Sequence, residues 1–284
     1  MKRFLFLLIG ILAPFYARAE NVILMIGDGM GFNHLECAAH DKPLYIPTLP
    51  FKGSVRTASA DFYITDSAAA ATAYSCGYKT NNAFIGKFPN GDDCRTIADK
   101  AVLSGYAVGI YSTDYSNGAT PSAFYAHSLR RYDSEAIEHY RRQASTVMDI
   151  AVPVKKLSDE VTPRLEMLAS QPYKKGFFAM FEEQFIDSFS HENQLYEMKQ
   201  RLYDFDFAVM KAVNFAYTHS DTTVIVVADH ETGGLMKECI FSTRRHTDAN
   251  VPVYAYGKYA GLFTGEQDNT EIHKKMDYIL FGEK

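Results

Sequence analysis

The sequence predicts a doubly wound α/β fold, a mostly parallel central sheet with helices on both faces. Continuous apolar runs at 21–26, 176–181 and 222–228 have the composition of buried strands, and 107–112 reads as a further strand. Stretches of helical spacing lie between them, so strand and helix alternate as parallel neighbours require. Carboxylates and histidines follow the runs at 21–26, 176–181 and 222–228 directly, at the carboxyl ends where open α/β sheets place their sites.

Taken in order, Lys2 and Arg3, an apolar stretch over 4–14 and Ala17-Arg18-Ala19 form the pattern of a cleaved secretory signal. Residues 1–19 are therefore expected to be a signal peptide and 20–284 a single domain. The apolar stretch is shorter than the roughly 20 residues of a membrane span, and no other stretch is a candidate, so no span is expected after cleavage. The run at 21–26 ends in Gly27-Asp28-Gly29-Met30-Gly31, which brings a carboxylate to a strand end. It is not the G-x-G-x-x-G of a dinucleotide site. A second strand is expected over 51–58, and a loop over 78–93.

Thr65-Asp66-Ser67 opens an alanine-rich run that favours helix strongly and that Gly77 closes. One reading makes Asp66 or Ser67 a simple N-cap; the other makes Ser67 a nucleophile, served by the positive end of the helix dipole. Serine needs an adjacent base or a metal to become reactive. Further helices are expected over 96–103, from Pro121 onward through His127 and Arg131, and over 134–150, 163–170, 195–219 and 269–281. The stripe Leu195, Met198, Leu202, Phe205, Val209, Ala212, Ala216 reads as core. The run at 176–181 leads into Glu182, Asp187 and His191, and the run at 222–228 into Asp229-His230-Glu231-Thr232-Gly233-Gly234. Arg245-His246-Thr247 precedes a strand at 251–256. Glu, Asp and His together suit a hard or borderline divalent cation. His34, His40, His127, His139, His219 and His273 lack such company and read as structural or solvated.

Composition narrows the function. With 284 residues, 47% hydrophobic and 22% charged, the chain can bury a sizeable core, which excludes disorder. A net charge of -5 leaves no basic footprint for nucleic acid. Cys37, Cys76, Cys94 and Cys239 allow three full pairings; Cys76 with Cys94 is the first choice, because the turn-rich stretch between them can loop back, and free buried thiols are the alternative.

In their order along the chain, Ile26-Gly27-Asp28-Gly29-Met30-Gly31, Thr65-Asp66-Ser67-Ala68-Ala69, Ala119-Thr120-Pro121 with His127 and Arg131, Glu182 with Asp187 and His191, Asp229-His230-Glu231-Thr232-Gly233-Gly234 and His246-Thr247 resemble the alkaline phosphatase family. The resemblance implies a phosphate monoester hydrolase with a phosphoserine on Ser67. It further implies one zinc ion on Asp187, His191 and His246, a second on Asp28, Asp229 and His230, and a magnesium ion on Asp28, Thr120 and Glu182. Arg131 would clamp the phosphate. A homodimer and a periplasmic or secreted location are further expectations. Gly118 stands where the family pattern has Asp or His, and Ser188 where Lys or His is common, which weakens the expected magnesium site. The stretches from Arg131 to Glu182 and from His230 to His246 are short, implying a trimmed core with an open pocket. Two alternatives remain: a phosphodiesterase of the same superfamily, and a non-catalytic relative that binds metal or phosphate.

Overall fold

The computed structural model describes residues 20–172 and 174–282; the expected signal peptide lies outside them. Ten strands occur among them: β1 (Asn21–Gly27), β2 (Phe51–Arg56), β3 (Ala107–Ser112), β4 (Asp149–Ala151), β5 (Phe177–Glu183), β6 (Thr222–Val227), β7 (Glu231–Thr232), β8 (His246–Thr247), β9 (Val251–Gly257) and β10 (Gly265–Asp268). The helices are α1 (Phe32–Ala39), α2 (Ser67–Cys76), α3 (Ile97–Leu103), α4 (Ala119–Ser122), α5 (Ser134–Ala144), α6 (Leu157–Ala169), α7 (Phe185–His191), α8 (Leu195–Thr218) and α9 (Asn269–Phe281).

Eight strands form one sheet in the order β10-β2-β9-β6-β1-β5-β3-β4, and β7 pairs with β8 apart from it. Within the sheet only β9 runs against its neighbours, so the remaining strands point the same way. β1, β3, β5 and β6 are buried along their whole length, as their unbroken apolar runs require. Helices α1, α6 and α7 pack with α8 on one face, and α2, α3 and α9 pack together on the other. The α8 stripe from Met198 to Ala216 is buried, so it is core.

Register places the strand ends together. Ile26 lies opposite both Glu182 and Val227, and Ser112 lies opposite Glu182. The segments leaving β1, β3, β5 and β6 therefore start side by side along one edge. Helix α2 reaches that edge from β2, and the Tyr74 hydroxyl donates to the Ala228 carbonyl at 2.6 Å, tying this helix to the end of β6. Gly77 closes it at φ 79.

Three local expectations are corrected. No helix carries His127 and Arg131: α4 stops at Ser122, because Ser128 exchanges backbone hydrogen bonds with Ile85 and takes the chain extended. The helix expected over 134–150 ends at Ala144, and 149–151 becomes the edge strand β4. Pro163 lies inside α6 rather than at its start; the buried face of Leu157, Val161, Leu165 and Leu168 outweighs the missing hydrogen bond. Cys76 pairs with Cys94, and a second disulfide joins Cys37 to Cys239 across 202 residues, a pairing that sequence separation hides.

Candidate active site

Asp66, not Ser67, caps α2: its Oδ1 accepts from the Ala69 N–H at 3.0 Å. That leaves the Ser67 side chain, in the first turn and 4% exposed, free to point elsewhere. Its Oγ lies 3.2 Å from His230 Nε2. The other Asp66 oxygen accepts from the Ala83 N–H and from Arg131 Nη1, both at 3.0 Å. Burial alone would weaken the Arg131 charge, and Asp66 more than offsets this. The guanidinium is thereby fixed beside the start of α2.

Two groups of possible metal ligands share His230. Asp28, Asp229 and His230 bring donor atoms within 4.8 Å of one another, as do Asp187, His230 and His246. His230 Nε2 is 3.2 Å from Asp229 Oδ2 and 3.5 Å from Asp28 Oδ1. His246 stacks on the His230 ring at 3.5 Å between centroids. His191 joins the second group, with its Nε2 3.1 Å from His246 Nε2 and 3.3 Å from Asp187 Oδ2. The turn after β1 makes room for this: Gly29 has φ +72, and a Cβ there would come 2.9 Å from Thr232 Oγ1 and 3.0 Å from Asp187.

Hydrogen-bond partners orient all three imidazoles alike. His191 Nδ1 meets the Arg244 carbonyl at 2.7 Å and His246 Nδ1 the Thr65 carbonyl at 3.0 Å, so both Nδ1 atoms donate. Thr232 gives its hydroxyl proton to Asp187 Oδ1, and its oxygen, 3.2 Å from His230 Nδ1, accepts from that ring. Each Nε2 therefore presents its lone pair to the site. Two such lone pairs 3.1 Å apart require a proton or a cation between them.

Glu182 lies beside the two groups at the end of β5. Its Oε2 accepts from the Ser112 hydroxyl. The Thr120 hydroxyl sits close enough to favour the ionised carboxylate, but outside hydrogen-bond geometry. Asp28 Oδ1, Asp229 Oδ2, Glu182 Oε1 and Thr120 Oγ1 are all buried without a partner. Unpaired buried oxygens are costly, and like-charged neighbours add to the cost. Burial and then the Asp229 charge push Asp28 well above the usual carboxylate range. Burial and then Asp114 do the same to Glu182, and burial raises Asp229 to about 7. Burial would raise Asp187 too, but His191 and the other imidazoles hold it far below its ordinary value. Asp187 in turn draws His191 up to about 9. A donor set of carboxylates and inward-facing imidazole nitrogens, with orphaned oxygens between them, fits divalent cations.

The family model for alkaline phosphatase matches residues 19–161 and 154–241. The chain belongs to the alkaline phosphatase family. Alkaline phosphatase 4 of Bacillus subtilis is 27% identical over 288 residues, covering 77% of this chain and 62% of the relative. The chain thus spans less than two thirds of that relative's length. The alkaline phosphatase of the Antarctic bacterium TAB5 is 27% identical, with a TM-score of 0.83 over 94% of this chain and 99% of the other. A variant of that enzyme, with glutamate in place of a histidine and magnesium bound in its M3 site, superposes with a TM-score of 0.86 at 26% identity, over the same shares of the two chains. The family's central sheet is the one described above.

All ten expected site residues gather at one sheet edge. Ser67 meets His230; Asp28, Asp229 and His230 form one group; Asp187, His191 and His246 the next; Glu182 and Thr120 lie together, and Arg131 rests on Asp66. Sequence reasoning gave no role to Thr232, though the run Asp229-His230-Glu231-Thr232 holds it. Ser112 and Asp114 went unnoticed as well, and their position at and just past the end of a strand was the available clue.

Proposed function

We propose that the chain is a phosphate monoester hydrolase that works through a phosphoserine on Ser67. In this reading Asp28, Asp229 and His230 hold one zinc ion, Asp187, His191 and His246 hold a second, and Glu182, Thr120 and Asp28 hold magnesium. The observation that carries it is the convergence on His230 Nε2 of Ser67 Oγ, Asp229 Oδ2 and Asp28 Oδ1, at 3.2, 3.2 and 3.5 Å. A nucleophile thus stands within the same shell as a metal-ligand set.

Cations held by these residues would supply Lewis acidity there, lowering the pKa of the serine hydroxyl and stabilising charge on the departing oxygen. Ser67 Oγ, its proton given up to solvent, attacks phosphorus in line: its bond to phosphorus forms as the ester P–O bond breaks, and the leaving oxygen takes a proton from water to depart as the alcohol. Arg131 offers two parallel N–H groups to the non-bridging oxygens, aimed by Asp66. The first turn of α2 adds backbone N–H groups and the positive end of its dipole. Water then cleaves the phosphoserine, releasing phosphate and restoring the hydroxyl. His230 keeps Nε2 as a lone pair throughout, because Thr232 holds the proton on Nδ1.

The two disulfides, Cys37–Cys239 and Cys76–Cys94, together with the N-terminal export pattern, support a periplasmic or secreted location. No described helix is long and apolar enough to cross a membrane.

The test compares p-nitrophenyl phosphate with bis(p-nitrophenyl) phosphate, from neutral to alkaline pH, using wild type and Ser67→Ala with metal content measured on the same samples. Zinc-dependent monoester turnover that falls at least about a thousandfold in Ser67→Ala is expected. Faster diester turnover would favour the diesterase reading, and bound zinc without turnover the non-catalytic one.

A further inference from the structure

Gly118 interrupts the family pattern, yet its backbone does not call for glycine. Its φ of -55 and ψ of 140 are open to any residue. Space is what calls for it: a Cβ at 118 would lie 1.9 Å from Asp114 Oδ2 and 2.3 Å from its Cγ. The Asp114 carboxylate fills the volume in which a side chain at 118 would begin.

Two hydrogen bonds hold it there. The Asp114 N–H donates to Ser112 Oγ at 2.8 Å, and the Tyr115 N–H donates to Asp114 Oδ1 at 2.7 Å. The same Ser112 hydroxyl donates to Glu182 Oε2, so one serine links the Asp114 backbone to the Glu182 carboxylate. Asp114 Oδ2 accepts no hydrogen bond from the described residues; the Arg131 charge acts on it, and its own charge reaches Asp28, Glu182 and Asp187. Glu182, reached through Ser112, and Thr120, two residues after Gly118, carry the buried, unpartnered oxygens Oε1 and Oγ1. Oxygen donors alone, two of them anionic, are what magnesium and similar hard cations take.

We infer that Asp114 replaces the side chain missing at position 118 and, with Glu182 and Thr120, completes an all-oxygen site for a hard divalent cation. The carboxylate has moved from the turn before α4 to the residue two past the end of β3. Glycine at 118 is the consequence. The inference rests on the proposed metal-dependent function only in placing this cation beside the zinc ligands.

The experiment uses Mn2+ as the probe on zinc-loaded protein, reading bound Mn2+ by electron paramagnetic resonance and zinc by mass spectrometry. Wild type, Asp114→Asn and the double variant Asp114→Gly with Gly118→Asp are compared. Asp114→Asn keeps shape and loses charge, so it is expected to weaken Mn2+ binding by at least about tenfold at unchanged zinc content. The double variant, whose new carboxylate enters the space vacated by the old, is expected to recover most of that loss. Equal Mn2+ affinity in wild type and Asp114→Asn, or no Mn2+ held by wild type, overturns the assignment. Mn2+ held through Asp114 in a wild type that hydrolyses no phosphate ester supports it and overturns the proposed function instead.

Discussion

Ser67 Oγ lies 3.2 Å from His230 Nε2, and the opposite nitrogen of that ring lies 3.2 Å from the Thr232 hydroxyl. In a serine–histidine pair built for general-base catalysis, a carboxylate orients the ring. Here Thr232 takes that place, while the carboxylates Asp28 and Asp229 crowd the Nε2 side. The ring is arranged to donate a lone pair beside the serine rather than to shuttle its proton.

Thr232 gives its proton to Asp187 and its lone pair to His230, so Thr232→Val loosens a residue in each candidate metal group at once. Zinc affinity, measured by competition with a chelator, is expected to fall by about 10- to 100-fold. The global stability loss stays on the order of 1 kcal/mol. Unchanged zinc affinity would show that Thr232 does not orient these ligands.

Asp66 has two duties that substitution can separate. Asp66→Ala removes both the α2 cap and the anchor of Arg131, costing about 1 kcal/mol and lowering Tm by about 2–4 °C. Asp66→Asn keeps a capping oxygen but loses the acceptor of the Ala83 N–H, so its Tm is expected to fall less than that of Asp66→Ala. In both variants Arg131 loses its aim, and the inhibition constant of inorganic phosphate is expected to rise about tenfold, on the order of 1.4 kcal/mol. Phosphate binding that stays at the wild-type level in both would remove Arg131 from the phosphate site.

His34 is buried under α7, the helix that carries Asp187 and His191. The Gly31 N–H donates to its Nδ1 at 3.2 Å, and its Nε2–H donates to Ser190 Oγ at 3.0 Å, whose hydroxyl donates on to the Ile186 carbonyl. A second ring proton would face the Gly31 N–H, and burial holds the folded pKa down at about 4 against 6.5 when unfolded. Below pH 6.5 the unfolded chain takes a proton that the folded chain refuses. This contribution is therefore complete above pH 6.5 and is lost as pH falls through about 4, on the order of 3 kcal/mol in all. Denaturant unfolding of chelator-treated protein is expected to show a shallower pH slope in His34→Gln across that window. Equal slopes would mean that His34 is protonated in the folded protein.

Much of this was legible in the sequence, because buried strands and caps leave strong marks. The unbroken apolar runs gave β1, β3, β5 and β6, and the residues after them gave Asp28, Glu182, Asp187, Asp229 and His230. What escaped depends on contacts between distant segments. His127 and Arg131 look helical until Ser128 pairs with Ile85, 43 residues earlier. The edge strand β4 is three residues long, too short for periodicity to register. Asp114 has no motif around it; only the close approach to Gly118 marks it.

The most direct test of the account is to mix enzyme and p-nitrophenyl phosphate at mildly acidic pH, quench in acid, digest, and read the peptide containing Ser67 by mass spectrometry. The account predicts one phosphate group on Ser67, present only when substrate and zinc are both supplied. Rapid hydrolysis with an unmodified Ser67 and phosphate on another residue would contradict it.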